Sequence, residues 1–285
     1  MQIGVAAFIT EDGIDPVQLA RAVEDRGLAA LFVTEHTHIP VNRRSPWPGG
    51  GELPREYSHT FDPFVALGAM AAVTESIVLG TAVTLVNQRH PITLAKQVAS
   101  VERLAPGRVE LGVGPGWNAE EMRNHGVDPR WRTARMLDHL DAVRTLWAQD
   151  EAEHHGEFVD FDPVWCWPKP TAPVPVLIAG TGPTVLDRVL SHGDGWLPLR
   201  IPRRELGSFG NRIAELRSRA AETGRCRIPV TLYGGMPERS VAEDYAAAGV
   251  DRLLITLTGS SGADPAPPVL AELDIMAELA EHTDG

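Results

Sequence analysis

Cysteine is scarce: Cys166 and Cys226 stand far apart in a chain of 285 residues. That excludes a disulfide framework and any zinc site built on thiolate pairs, and it suits a reducing cytoplasm. Positive charge is short as well, with 26 Lys and Arg against 38 Asp and Glu and a net charge of −12. A general nucleic-acid or anionic-membrane binder needs a basic face, so neither partner is expected. No apolar run approaches the roughly 20 residues of a membrane span. The opening Met1-Gln-Ile-Gly-Val-Ala-Ala7 has neither the basic region nor the apolar stretch of a secretory signal. No G-x-S-x-G elbow occurs, and neither cysteine sits at a strand end, so a serine or cysteine nucleophile lacks support. What remains is a cytoplasmic protein that handles a small molecule, with 43% hydrophobic residues to build one large core.

The pattern along the chain is strand, helix, strand, repeated roughly eight times. Strands are expected over Ile3–Phe8, Ala30–Thr34, Ser76–Val83, Arg108–Val113, Val174–Ala179, Gly195–Leu197, Ile228–Tyr233 and Arg252–Leu257. Helices open at Asp15-Pro16, Asp62-Pro63 and His90-Pro91, where an acceptor side chain precedes a proline. Others are expected over Thr133–Trp147, from Val185, and over Arg203–Glu222, Val241–Ala248 and Val269–Ala280. Such alternation implies a parallel sheet covered by helices, and eight repeats imply closure into a (β/α)8 TIM barrel. Residues 1–285 are read as one domain with insertions after strands two and four. A long polar loop spans Ile39 to Thr60, and Asn118–Arg130 reads as irregular. A hairpin at Glu153–Val159 and the rigid run Trp165–Pro170 form an excursion before strand five.

A barrel of this kind carries its active site at the C-terminal ends of the strands. Strand two ends in Glu35, His36 and His38. Strand three ends in Thr81, Ala82, Val83 and Thr84, and strand four in Gly114, Gly116, Trp117 and Asn118. Strand five ends in Gly180-Thr-Gly-Pro-Thr184, and strand six in Trp196, followed by Arg200, Arg203 and Arg204. Gly180, Thr181, Gly182 and Thr184 read as an anion cradle, with Pro183 as the first helical residue and a helix start that favours negative charge. His36-x-His38 has the alternation of a ligand pair, but strands four to eight end in no histidine, so no metal is expected. Gly114-Pro-Gly-Trp-Asn-Ala119 fits G-x-G-x-x-A formally; the helix and acidic residue of a dinucleotide site do not follow it.

Several segments together resemble the bacterial-luciferase-like monooxygenase superfamily: Ala30–His36, Leu79–Val83 with Arg89-His-Pro91 and Ala95-Lys96, Leu104–Trp117, Pro175–Gly180 and Gly193-Asp-Gly-Trp196. The Glu35-His36 pair, the Gly-Pro-Gly-Trp-Asn loop and the Trp-Pro-Lys-Pro connector resemble actinobacterial members that use the deazaflavin coenzyme F420. The resemblance implies a ring at the barrel mouth, a non-proline cis bond joining Ala82 and Val83 behind it, and catalytic roles for His36 and Glu35. It implies that His36, Thr81, Ala82, Val83, Gly114, Gly116, Trp117, Asn118, Gly180, Thr181, Gly182, Thr184 and Trp196 hold the cofactor. Arg43 or Arg44 would meet the carboxylates of the F420 tail, or serve as surface charge. Trp117 stands where sugar-phosphate dehydrogenases of the F420 group carry a glutamate, which argues against that substrate. Glu120 or Glu121 would replace it, or serve a helix dipole. The resemblance thus implies a hydride-transferring oxidoreductase with a small organic substrate, in a homodimer. An FMN-dependent monooxygenase and a non-catalytic ring-binding protein are the alternatives.

Overall fold

The computed structural model describes residues 1–258 and 264–283. In chain order these are β1 (Gln2–Ala7), α1 (Pro16–Asp25), β2 (Ala30–Val33), α2 (Pro63–Ala71), β3 (Val78–Thr81), β4 (Thr84–Leu85) and α3 (Pro91–Leu104). There follow β5 (Val109–Gly114), α4 (Ala119–Asn124), α5 (Arg132–Ala148), β6 (Ala152–His155), β7 (Asp160–Val164), β8 (Val176–Ala179) and α6 (Val185–His192). The chain continues through β9 (Gly195–Leu197), α7 (Leu206–Glu222), β10 (Thr231–Gly235), α8 (Arg239–Ala247), β11 (Arg252–Thr256) and α9 (Ala266–Thr283).

Eight strands run parallel in the order β10-β11-β1-β2-β3-β5-β8-β9. Parallel bridges Trp196–Val230 and Leu199–Tyr233 bring β9 back to β10 and close the barrel. The expected TIM barrel is what forms, with β6 and β7 as a separate antiparallel hairpin. The barrel strands are buried on both faces, which is why their sequences show no polar alternation. Ile3, Val5, Leu31, Val33, Val176 and Ile178 point outward to the helices. Ala6, Ala30, Phe32, Leu177, Ala179 and Leu254 point inward and fill the barrel. Phe32 fills so much of that interior that a Cβ at Gly80 would lie 2.6 Å from its ring. Arg252, at the opposite end of the barrel from the mouth, donates across it to Glu110 at 2.8 Å.

Side chains cap the helices as their sequence suggests. Asp15 accepts from the amides of Val17 and Gln18, and Asp62 from Phe64 and Val65. Five features differ from expectation. The strand expected over 76–83 ends at Thr81 and resumes as β4, because the Ala82–Val83 peptide bond is cis. The strand expected over 228–233 begins at Thr231, since Pro229 offers no N–H and instead gives its carbonyl to Trp196 N. The stretch read as irregular holds α4, and the hairpin reaches Val164. Pro183 is not the first helical residue: Gly182-Pro183-Thr184 forms a turn closed by Val185 N on Gly182 O, and α6 starts at Val185. No helix among the described residues is long and apolar enough to cross a membrane.

Candidate active site

The exits of β2, β3, β5 and β9 surround a cavity of about 120 Å³ at the C-terminal mouth of the barrel. Its wall includes Phe8, Thr34, His36, Tyr57, Trp117 and Tyr233, and its floor Ala82 and Val83, the two residues joined by the cis bond. His36 follows β2, and it is 8% exposed. Its Nδ1 lies 2.9 Å from Oε2 of Glu121, a carboxylate 1% exposed on α4. Trp117 Nε1 donates to His36 Nε2 at 3.3 Å. An acceptor role for Nε2 leaves the ring proton on Nδ1, where Glu121 accepts it; the tautomer is fixed by its second partner. Tyr57 arrives from the 39–60 loop and packs on both rings, with centroids 5.2 Å from His36 and 6.5 Å from Trp117.

Glu35 points away from this line. Its Oε2 accepts from Leu85 N at 2.8 Å, and Oε1 pairs with Arg89. Burial raises this carboxyl above its ordinary value, and the Arg89 guanidinium and the Leu85 amide offset only part of that rise. Arg89 donates in turn to Asp62 at 2.8 Å. Glu35, which also borders the cavity, therefore ties the exit of β2 to β4 and to the N-terminus of α2.

The other expected positions divide. Ala82, Val83 and Trp117 line the cavity. Thr81 Oγ1 donates to Gly112 O, and Gly114 packs where a Cβ would stand 2.8 Å from Val83 Cγ2; both shape the floor from behind. Gly116, at φ +85°, turns the chain into Trp117. Asn118 is the cap of α4, accepting from Glu121 N at 3.4 Å, and does not face the mouth. Trp196 does not face the mouth either: fully buried, it points outward to α7 and donates to Gly180 O at 2.8 Å. Its large ring packs beside Phe209.

The Gly180–Thr184 turn has the shape of a cradle. Gly180 holds φ +118°, and a Cβ on Gly182 would meet no atom within 4 Å. Two arginines flank it. Arg188 donates to Thr184 Oγ1, and Arg212 donates to the carbonyls of Thr181 and Gly182 while lying over the Trp196 ring. Open glycine backbone beside two guanidinium groups fits a phosphate, and the apolar floor fits the face of a ring. Thr34 Oγ1, buried in the cavity wall, has no partner and fits a polar ring edge.

His36 and His38 do not converge: His38 bonds Thr37 and Asn124, on the outer side of α4. Arg43 lies over Trp117 and donates to Ser45 O, while Arg44 is exposed and 3.9 Å from Glu120. Ser45 Oγ donates to Glu120 at 2.7 Å and accepts from Ala119 N, fastening the long loop to α4. That bond holds the Glu120 carboxyl down at about 2. Sequence reasoning missed Thr34, Tyr57, Tyr233, Arg188 and Arg212, and weighed Glu121 without its partner. Asn118-x-x-Glu121 carries the signature of a capping box, which hides a glutamate that turns to a histidine instead.

A model of the luciferase-like monooxygenase family matches residues 6–273. The chain belongs to that family. Within reach of this luciferase-like chain is an uncharacterised protein of Mycobacterium tuberculosis, 39% identical over 90% of this chain and 99% of its own length. An F420-dependent glucose-6-phosphate dehydrogenase of Nakamurella multipartita is 30% identical over 63% of this chain and 50% of its own. Two solved structures share the luciferase-like barrel. One is the monooxygenase RslO1 from Streptomyces bottropensis, at TM-score 0.82 and 19% identity over the whole of both chains. The other is an F420-dependent secondary alcohol dehydrogenase bound to an F420-acetone adduct, at 0.77 and 18% over 98% of this chain and 97% of that one.

Proposed function

We propose that this protein is an oxidoreductase that moves a hydride between coenzyme F420 and a small organic alcohol or carbonyl compound. The observation that carries the reading is the His36–Glu121 pair, buried against the apolar cavity above Ala82 and Val83. Relatives named as F420-dependent dehydrogenases support the choice of ring. The bound deazaflavin supplies a carbon that accepts or donates the hydride.

The chain does the rest. Ala82 and Val83 back one face of the ring site, and the Gly180–Thr184 turn with Arg188 and Arg212 holds the phosphate. Trp117 and Tyr57 close over the mouth and exclude water. His36 Nε2 is the proton acceptor for a substrate hydroxyl as its carbon gives up the hydride, and the proton donor in the reverse direction. Glu121 fixes the tautomer and stabilises the imidazolium that forms, the part a carboxylate plays behind a catalytic histidine. Trp117 N–H occupies Nε2 until substrate replaces it. Glu35 and Arg89 keep His36 at its post.

Titration of the purified protein with F420, and separately with FMN, tests this. Saturable F420 binding without FMN binding is expected. FMN binding alone would move the protein to the oxygen-using branch of the family, and binding of neither would remove the ring site.

A further inference from the structure

Beyond the ring cavity lies a second one of about 270 Å³, and the two share Phe8 and Tyr57 as a common wall. The long loop supplies Trp47 and Tyr57 to it, and the chain after β11 supplies Leu257. Among the described residues, the one cation in this wall is Arg200. Its backbone is the only non-glycine among the described residues with positive φ, at +42°. An arginine held in that region is strained, and strain of this kind persists where the surroundings demand it. The demand is visible. Arg200 N donates to Tyr233 O, and the side-chain stem crosses Gly234, where a Cβ would stand 2.7 Å from Arg200 Cγ.

The neighbouring Arg203 and Arg204 pair with Asp244 and Glu205; among the described residues Arg200 pairs with no carboxylate. Its charge acts on the two phenols between the cavities: burial pushes Tyr57 and Tyr233 up, and Arg200 opposes that on both. Glu56 stands in the same wall and disfavours a second negative charge.

We propose that the 270 Å³ cavity is the outer substrate subsite and takes a monoanionic carboxylate with an apolar body, Arg200 holding the carboxylate while the reacting end enters the ring cavity past Phe8 and Tyr57. The reading of that ring cavity as the reaction centre is the one proposed above. The cofactor's own tail carboxylates share this chemistry, so the test separates them from substrate.

The full chain, free of cofactor, is titrated with 3-phenylpropanoate, 3-phenylpropanamide and phenethyl phosphate, following tryptophan fluorescence and calorimetric heat. The carboxylate is expected to bind about tenfold tighter than the amide, as one charge-assisted pair at a half-open site gives. Arg200→Gln erases that difference and leaves amide binding unchanged. Equal binding of acid and amide overturns the proposal, as does tighter binding of the phosphate ester, an Arg200→Gln variant that weakens acid and amide alike, or no binding of any of the three. F420 titration of the same variant is the second arm. Lost F420 affinity with unchanged acid binding assigns Arg200 to the cofactor tail and overturns the substrate role. A wild-type protein that ignores F420 but shows the Arg200-dependent acid preference keeps the subsite and removes the cofactor reading, so the two fail separately.

Discussion

Glu120 and Glu121 are adjacent on α4 and have opposite fates. Glu120 faces Ser45 on the outer side and fastens a loop; Glu121 is buried and faces His36. A helix turns 100° per residue, so two neighbours cannot share a face, and only one of the pair can reach the barrel mouth. Replacing His36 by Ala removes the proton acceptor and is expected to lower kcat about 100-fold or more while F420 binding changes little. Glu121→Gln keeps the shape and an acceptor oxygen for Nδ1–H, yet gives up the negative charge behind the imidazole. The expected loss in kcat is about tenfold, with KM steady and the pH–rate profile displaced. A purely structural glutamate would instead lower the melting temperature and leave the profile in place. Neither residue type nor spacing revealed this pairing, because 85 residues separate the two and α4 is short enough to read as irregular.

At the scale of elements, segments distant in sequence are tied together by single carboxylates that accept several amides. Glu102, at the end of α3 and 1% exposed, accepts from Gly107 N, Thr171 N and Ala172 N, at 3.1, 2.6 and 3.0 Å. It therefore pins the connector before β8 to the turn before β5, two strands that are neighbours in the barrel. Burial pushes this carboxyl up, but the amides outweigh it and hold it below its usual range. Glu102→Ala removes the shared acceptor of three amides that lie on exposed or half-buried residues, where water replaces part of the loss, and is expected to cost about 2 kcal/mol in a urea denaturation, with the slope unchanged. Asp138 does the same for the hairpin, accepting from Phe158 N and Val159 N beside His154. The Asp-Pro helix starts were legible because a cap and its helix are neighbours in sequence. Glu102 was not: it looks like one more charged residue on a helix, and its partners lie up to 70 residues away.

For the whole molecule, repetition made the barrel legible, since each strand-helix unit carries its own local pattern, and the strand ends then named the mouth. Trp196 shows the limit. A strand end gives position but not which way a ring turns, and here the indole turns outward to Phe209 and Arg212 of α7 while donating to Gly180 O. The same dense interior sets the pH response of the fold. His139 on α5 is 1% exposed, with Nδ1 unpartnered, and burial together with the charge of Arg135 lowers it from 6.5 to about 4; Asp138 opposes this and His90 adds to it. A histidine kept neutral in the fold gains its proton on unfolding. The unfolded chain thus binds more protons between pH 6.5 and about 4, and stability falls as pH drops through that window. Carboxylates held low, such as Glu102 and Asp138, withdraw their contribution only below their ordinary values of 4.5 and 3.8. Between 6.5 and 4.5 His125, also lowered by burial, and Glu35, raised by burial, titrate beside His139, so the share of His139 is read from a variant, and it is on the order of 2 kcal/mol. Denaturation midpoints of the wild type and of His139→Leu, followed over that interval, read it directly. The variant should change less with pH than the wild type by about that amount; parallel curves would mean that His139 binds its proton equally in both states.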